Sequence, residues 1–167
     1  EDDAAAARLQ ENASAIYTEH CALFPQDVAV AFLDLLAEQA AGGGEAQTAM
    51  GNTMLYLNAL QRHVEVLAKE EGHELVPELE RRLLELSKGI ISEAVECMGA
   101  EERVSASDAP LVVAAISACG SVTRSTFKSE IQRVFPFLTS LMRHDKPAIR
   151  GAVSSLLESR VAELVIH

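Results

Sequence analysis

Apolar residues recur along this chain at steps of three and four, the spacing that places side chains on one face of an α-helix. The spacing is repeated in two stretches, at Ile149, Val153, Leu156 and Leu157 and at Val28, Phe32, Leu35 and Leu36. No segment sustains the period-two alternation that predicts a strand. Only 4% of the residues are aromatic while 49% are hydrophobic, which favours aliphatic packing between helices. The sequence therefore predicts an all-α chain.

Glycine and proline divide the chain into about seven predicted helices, because glycine is costly in a helix interior and proline favours a first turn. The predicted helices cover residues 2–24, 25–41, 45–71, 76–99, 108–120, 124–144 and 147–167. Short breaks between them predict antiparallel neighbours. We expect residues 1–167 to form a single helical repeat domain, a fragment of a larger protein, with possible mobile linkers at 41–45 and 99–107.

Three helices carry particular expectations. The predicted fourth helix has an apolar stripe at Leu79, Leu83, Leu86, Ile90, Ala94 and Cys97. Residues 109–123 form the longest uncharged run, which is too short to span a membrane and predicts a central, fully buried helix. Pro136 lies inside the sixth helix and should kink it, because proline removes one backbone hydrogen bond.

The stretch "HDKPAIR" begins the last helix and carries an Asp, a Pro and an Arg at close spacing. Asp145 can cap the helix and Pro147 suits its first turn. A kinked helix followed by this motif and a second amphipathic helix is the pattern of a HEAT-type hairpin. The fold predicted is therefore HEAT/armadillo-like hairpins stacked into a short α-solenoid. Arg150 either pairs with Asp145, pairs with the equivalent Asp of a neighbouring hairpin, or is an unrelated surface residue.

Charge is unevenly distributed. Residues 1–102 hold 20 acidic and 6 basic residues, a net charge of −14, whereas residues 103–167 hold 5 acidic and 8 basic, a net of +3. The total of −11 argues against nucleic-acid binding. The C-terminal third is the side expected to meet an acidic partner or an anionic membrane, unless it is simply a solvated surface. The candidate partner surface is Arg124, Lys128, Arg133, Arg143, Lys146 and Arg150.

No residue pattern indicates an enzyme, a cofactor or a metal site. Three widely spaced cysteines do not form a disulfide framework, and a reducing compartment fits them better. Cys97 and Cys119 lie on apolar stripes, where cysteine behaves as a small hydrophobe. The carboxylates clustered around one loop are expected to be solvated rather than catalytic, at Glu70, Glu71, Glu74, Glu78 and Glu80.

Residues 75–165 resemble the C-terminal region of the large brefeldin-A-inhibited Arf guanine-nucleotide exchange factors of the trans-Golgi. The resemblance rests on four stretches in order, "VPELERRLLELSKGI", "APLVVAAISA", "STFKSEIQRVFPFLTSLM" and "HDKPAIRGAVSSLLESRV". It implies stacked helical repeats downstream of a catalytic exchange domain, whose Leu-Pro-Gly-Glu-like motif is absent from this chain. The resemblance therefore implies a non-catalytic regulatory region.

That resemblance implies a role in Golgi vesicle trafficking through membrane recruitment, small-GTPase binding or autoinhibition. The partners implied are small GTPases of the Arf, Arl or Rab type, other regions of the same exchange factor or a homodimer partner. Peripheral contact with a membrane is a further possibility, and the implied location is cytoplasmic, at trans-Golgi membranes. The alternative is a HEAT-repeat scaffold from another pathway. A helical enzyme with a cysteine or carboxylate site is a third and weaker hypothesis.

Overall fold

The computed structural model describes residues 2–41, 50–69, 73–99 and 109–165, and these residues form seven α-helices without a strand. The helices are α1 (Asp2–Leu23), α2 (Pro25–Ala41), α3 (Met50–Leu67), α4 (Val76–Gly99), α5 (Ala109–Cys119), α6 (Arg124–Leu141) and α7 (Pro147–Val165). The predicted all-α fold with seven helices is confirmed. The predicted linkers fall almost wholly at positions 42–49 and 100–108, outside the described residues.

The helices form two layers from α3 onwards. Helices α3, α5 and α7 lie side by side, because α5 contacts both of its neighbours in this layer. Helices α4 and α6 contact each other in the second layer, and α5 also packs on α4. The hairpin of α1 and α2 joins through contacts of α2 with α3. Chain order is therefore spatial order, with α1 and α2 at one end and α6 and α7 at the other. A HEAT-like solenoid stays a prediction, since layering by itself does not establish a repeat.

Helix α5 is at the centre, as its uncharged sequence predicts. Its buried residues are Val112, Ala115, Ile116, Ala118 and Cys119. The expectation of complete burial was wrong for two residues, because Pro110 and Ser117 are exposed. Helix α5 is surrounded by α3, α4 and α7.

Burial of the predicted stripes is confirmed in α4 and α7. Leu79, Leu83, Ile90 and Ala94 are buried, and Leu86 packs partly buried against the same core. In α7, the buried residues are Ile149, Val153 and Leu156. Helix α6 runs as one helix through Pro136, whose carbonyl oxygen accepts hydrogen bonds from the hydroxyls of Thr139 (2.8 Å) and Ser140 (3.0 Å). The kink there stays a prediction.

The stripe predicted in α2 was wrong at one of its positions. Phe32 is buried but Leu35 is 45% exposed, and the small Ala29 is buried instead. Alanine lets the helix approach its neighbours closely, so α2 is rotated relative to the stripe of large residues. Leu36 lies among the residues whose side chains the structure does not describe.

Glu80 was expected to be solvated and is instead buried, with 2% of its surface exposed. Its carboxylate in α4 accepts hydrogen bonds from the backbone N–H of Thr123 and from the hydroxyls of Thr123 (3.1 Å) and Thr126. Thr123 is the N-cap residue of α6 and makes no capping bond with its own side chain. Glu80 therefore supplies the cap from another helix, and its negative charge suits a helix N-terminus.

Two arginines of α7 anchor this helix to the segments around it. The guanidinium of Arg160 in α7 donates to the carbonyl oxygen of Val122 and lies 4.7 Å above the ring of Phe127. Arg150 donates to the carbonyl oxygens of His144 (2.6 Å) and Asp145 (2.9 Å). The predicted pairing of Arg150 with the Asp145 carboxylate was wrong, because that carboxylate lies 2.8 Å from the ring Nδ1 of His144. The guanidinium of Arg150 thus holds the turn before α7 by binding the backbone carbonyl oxygens of that turn.

Glu80→Ala should lower the free energy of unfolding by about 2 to 3 kcal/mol, because it leaves a backbone N–H and two hydroxyls without their buried acceptor. Urea unfolding followed by circular dichroism measures the change. Glu85→Ala is the matched control, since Glu85 is an exposed carboxylate of the same helix that pairs with Arg81 at 2.6 Å and should cost at most about 0.5 kcal/mol. Equal losses for the two variants would refute the interhelical cap.

Alanine at two glycines should shift stability in opposite directions. A Cβ at Gly120 would lie 2.9 Å from Leu156 Cδ1 and 3.2 Å from the Ser117 carbonyl oxygen, so Gly120→Ala should cost about 1 kcal/mol or more. A Cβ at Gly151 in α7 would meet nothing within 4 Å, so Gly151→Ala should gain about 0.5 to 1 kcal/mol. Thermal and urea unfolding measure the change in stability of both variants. Destabilisation by Gly151→Ala would contradict the open space at that position.

Candidate functional site

An exposed apolar stripe runs along α1. Leu9, Ile16 and Leu23 are 71%, 57% and 70% exposed and follow one another at intervals of seven residues. Residues seven apart lie on the same side of a helix, two turns from each other. Ala13 and His20 fall between them on the same side, four residues after Leu9 and Ile16 respectively. Large aliphatic residues this exposed, and aligned in one row, are typical of an interaction surface rather than of a solvated helix.

Helix α2 forms the other wall of an open groove beside this stripe, and Ile16 is the stripe residue that lines it. Residues that line the groove are Ala13, Ile16, Tyr17, His20, Phe24, Asp27, Val28 and Ala31, around a cavity of about 620 Å³. Phe24 is 55% exposed where the chain turns from α1 into α2. We call this feature, with the α1 stripe and the exposed Leu35 of α2, the N-terminal groove.

Acidic residues are concentrated on the hairpin that forms the N-terminal groove, and one of them, Asp27, lines the groove itself. Residues 1–41 contain eight acidic residues and one arginine, a net charge of −7. Four of the carboxylates lie at exposed positions of the described hairpin, at Glu11, Glu19, Asp27 and Asp34. The groove therefore combines an apolar floor with a negative rim.

Buried aromatic contacts hold α1 in place behind the groove. The Tyr17 hydroxyl of α1 and Nε2 of His63 in α3 are hydrogen-bonded, and their rings meet edge to face at 5.6 Å. The Phe32 ring of α2 lies 6.4 Å from Tyr17 and 5.5 Å from His63. Burial raises the pKa of Tyr17 above its usual value and lowers that of His63 to about 4. Tyr17 and His63 are therefore both neutral near pH 7. Together with Phe32 they join α1, α2 and α3.

A second groove lies on the other side of α1, against α3, with a volume of about 700 Å³. Its walls carry both basic side chains, Arg62 and Lys69, and the acidic Glu65. Gln61 donates to the hydroxyl of Ser121 (2.8 Å) and to Glu65 (3.2 Å), so polar groups of the α3 wall are engaged with the protein itself. This mixed lining has no single chemical preference.

Helix α6 carries a second exposed stripe with the same spacing. Lys128, Phe135 and Met142 follow one another at intervals of seven residues, where Met142 is the C-cap residue. Phe135 is 43% exposed and Met142 is 40% exposed. Arg124 is also exposed and lies one turn before Lys128 on the same side of the helix. We call these four residues the C-terminal face, because they lie on the last hairpin of the stack.

The structure divides the six basic residues predicted as a partner surface. Arg124 and Lys128 belong to the C-terminal face. Arg133 pairs with Glu130 (3.2 Å) beside α4, and Arg143 lines a cavity with Val95 and Met98 at the end of α4. Lys146 and Arg150 are at the start of α7 and are half-buried. The six do not form one continuous face, and their role in binding stays a prediction.

The buried cysteines in the described part of the chain are not activated as nucleophiles. Burial raises the pKa of the Cys119 thiol to about 12 and also raises that of Cys21, whereas a nucleophilic cysteine needs a lowered pKa. No group of three or more His, Cys, Asp or Glu side chains there is arranged to hold a metal ion. No helix of the described segments is long and apolar enough to cross a membrane.

The family model of the BIG2 C-terminal domain matches residues 49–158. The matched segment is about two thirds of the chain. The chain belongs to the BIG2 C-terminal domain family. No curated protein and no solved structure matches it.

This finding corrects the resemblance stated above. The description of the matched family does not name an Arf exchange factor, and no match of any other kind assigns the chain to one. The identification with the tail of an Arf exchange factor is therefore withdrawn, together with the Golgi, vesicle-trafficking and autoinhibition roles that followed from it. The name BIG2 is also used for bacterial immunoglobulin-like domains, which are β-sandwiches. Where the structure describes this BIG2 C-terminal segment, it is helical.

The family segment begins just before α3 and extends into α7, so both α1 and α2 lie outside it. The N-terminal groove is consequently built by a hairpin added to the BIG2 C-terminal segment. Sequence reasoning missed this groove, although the signal was present in the seven-residue spacing of Leu9, Ile16 and Leu23. A stripe in the sequence does not reveal whether another helix covers it.

The free energy of unfolding should fall as the pH is lowered from about 6.5 to about 4 because of His63. Its pKa is about 4 in the folded chain against a usual 6.5, so in that window the unfolded chain binds a proton that the folded chain does not. Above about pH 6.5 this contribution is constant. NMR titration of the His63 ring protons should give a midpoint near pH 4. His63→Gln should flatten the pH dependence of urea unfolding in this window, and an unchanged slope would contradict the assignment.

Proposed function

We propose that this chain is a non-catalytic protein-interaction module that binds an amphipathic helix with basic flanks in its N-terminal groove. The observation that carries the proposal is the row of three exposed aliphatic residues on α1, whose middle residue, Ile16, lines the groove against α2. Helix-in-groove binding uses apolar anchors at this type of spacing on both partners.

The dimensions suit a short helix. The distance from Leu9 to Leu23 along α1 is about 21 Å at 1.5 Å per residue, which corresponds to about four helical turns. Burying each large aliphatic side chain contributes about 1.5 to 3 kcal/mol, and association itself offsets much of that gain. The expected dissociation constant is therefore on the order of micromolar.

The rim selects the charge of the partner. With a net charge of −7 in residues 1–41, the groove attracts lysine and arginine side chains and repels acidic helices. This selection acts mainly on the association rate and weakens with salt, since the carboxylates of the rim are exposed.

The absence of catalysis belongs to this proposal, supported by the raised thiol pKa values of Cys21 and Cys119. The alternative predicted from the sequence, a helical interaction scaffold, agrees with the proposal. Small GTPases, a membrane surface and a cytoplasmic location stay untested predictions.

A fluorescent amphipathic peptide of about 21 residues, with leucines at seven-residue intervals and lysine flanks, tests the proposal by fluorescence anisotropy. Ile16→Asp should weaken its binding by about tenfold or more, because it places a charge in the centre of the apolar row. Leu55→Asp is the matched control, since Leu55 is 43% exposed on α3 and lies outside the N-terminal groove.

A second peptide with glutamate in place of the flanking lysines tests the charge selection. It should bind more weakly than the lysine peptide at low salt, and the difference should shrink at high salt. Failure of the wild-type chain to bind the lysine peptide, or equal binding by the Ile16→Asp variant, would sink the proposal.

A further inference from the structure

We propose that the N-terminal groove of one copy of this chain binds the C-terminal face of a second copy, so that copies associate head to tail. The inference rests on the proposed function, because it identifies the amphipathic helix with basic flanks as α6 of another copy.

The first observation is the equal spacing of the two exposed stripes. Leu9, Ile16 and Leu23 on α1 span the same number of residues as Lys128, Phe135 and Met142 on α6, and both sets advance by seven. Two rows that share the same repeat length can remain in register along their whole length when their helices pack side by side. Phe135, at the middle of its row, then faces the middle of the groove near Ile16.

The second observation is complementary charge. The N-terminal hairpin has a net charge of −7, while residues 103–167 have a net charge of +3. Arg124 and Lys128 are exposed at one end of the C-terminal face, Asp27 is exposed in the lining of the N-terminal groove, and Glu19 is exposed on the same hairpin. Opposite charges at the two ends attract the ends to each other and disfavour pairing of two like ends.

The third observation is where the two surfaces lie. The groove is at the α1–α2 end and the C-terminal face is at the α6–α7 end, with α3, α4 and α5 between them. Contact between two different surfaces is heterologous, and it continues from copy to copy unless the rotation closes a ring. Every copy has one groove and one C-terminal face, so a chain of copies leaves one of each unfilled.

Paired variants of the full chain test this arrangement in sedimentation velocity. Ile16→Asp damages the groove and leaves the C-terminal face intact, whereas Phe135→Asp does the reverse. Ile16 and Phe135 are 57% and 43% exposed, so the fold should tolerate both substitutions, and circular dichroism and unfolding midpoints check this. Leu55→Asp is again the control, matched to Phe135 in exposure at 43%.

The wild-type chain and Leu55→Asp should show association that increases with concentration and weakens with salt. Each groove or face variant alone should sediment as a monomer at the same concentrations. An equimolar mixture of the two variants should form a dimer and no larger species, because one intact groove meets one intact face. A monomeric wild-type chain would overturn the inference, and so would a mixture that stays monomeric.

The peptide experiment separates the two proposals. A wild-type chain that binds the lysine peptide but remains monomeric retains the proposed function and loses the head-to-tail inference. If both proposals are correct, the lysine peptide should compete with other copies of the chain for the N-terminal groove and reduce their association. Phe135→Asp should bind the peptide at least as tightly as the wild-type chain, and loss of that binding would contradict the separation of the two surfaces.

Discussion

The packing of α5 is the constraint on which the rest of the structure depends. Its sequence, Ala109–Cys119, has no charged residue, so water is a poor neighbour for most of its surface. Helices α3, α4 and α7 surround it and give it an apolar environment. Once α3 and α7 flank α5, the chain connections place α4 and α6 in a second layer. The two ends of the stack are then the places where apolar faces have no neighbouring helix in the described part of the chain.

Polar groups complete the arrangement where the layers meet. Glu80 connects α4 to the first turn of α6, and Arg160 connects α7 to the turn between α5 and α6. Tyr17, His63 and Phe32 join α1, α3 and α2 in a similar way. In each case a side chain from one helix satisfies or packs on a group of another helix. These contacts fix the helix ends, which hydrophobic burial alone positions loosely because it has no directional preference.

Periodicity predicted several of the helices, but it did not predict for every helix which of its faces is buried. The stripes of α4 and α7 are buried as their spacing indicates, because a strong apolar row on an otherwise charged helix has one favourable orientation. Helix α2 has apolar residues on more than one side, so spacing left its rotation undecided and the small Ala29 determined it. Glu80 looked like part of a solvated acidic cluster, since nothing in the sequence near it shows that Thr123 and Thr126 approach from 43 and 46 residues away. The family resemblance drawn from residues 75–165 was not confirmed and is withdrawn, because the family that matches is the BIG2 C-terminal domain and no match assigns the chain to an Arf exchange factor.

The sequence by itself determined that the chain is helical, where its helices begin and end to within a few residues, and that its charge is negative in the first part and positive in the last. These properties are local, because they follow from the spacing of apolar residues, from proline and glycine, and from the count of ionisable groups. Only the tertiary structure decided which apolar rows are covered. Leu9, Ile16 and Leu23 form an apolar row in the sequence, as the buried residues of α7 do, but α1 is at the end of the stack and no helix of the described residues covers its row. Exposure depends on the positions of all other helices, and that information is not carried by any single stretch of the chain.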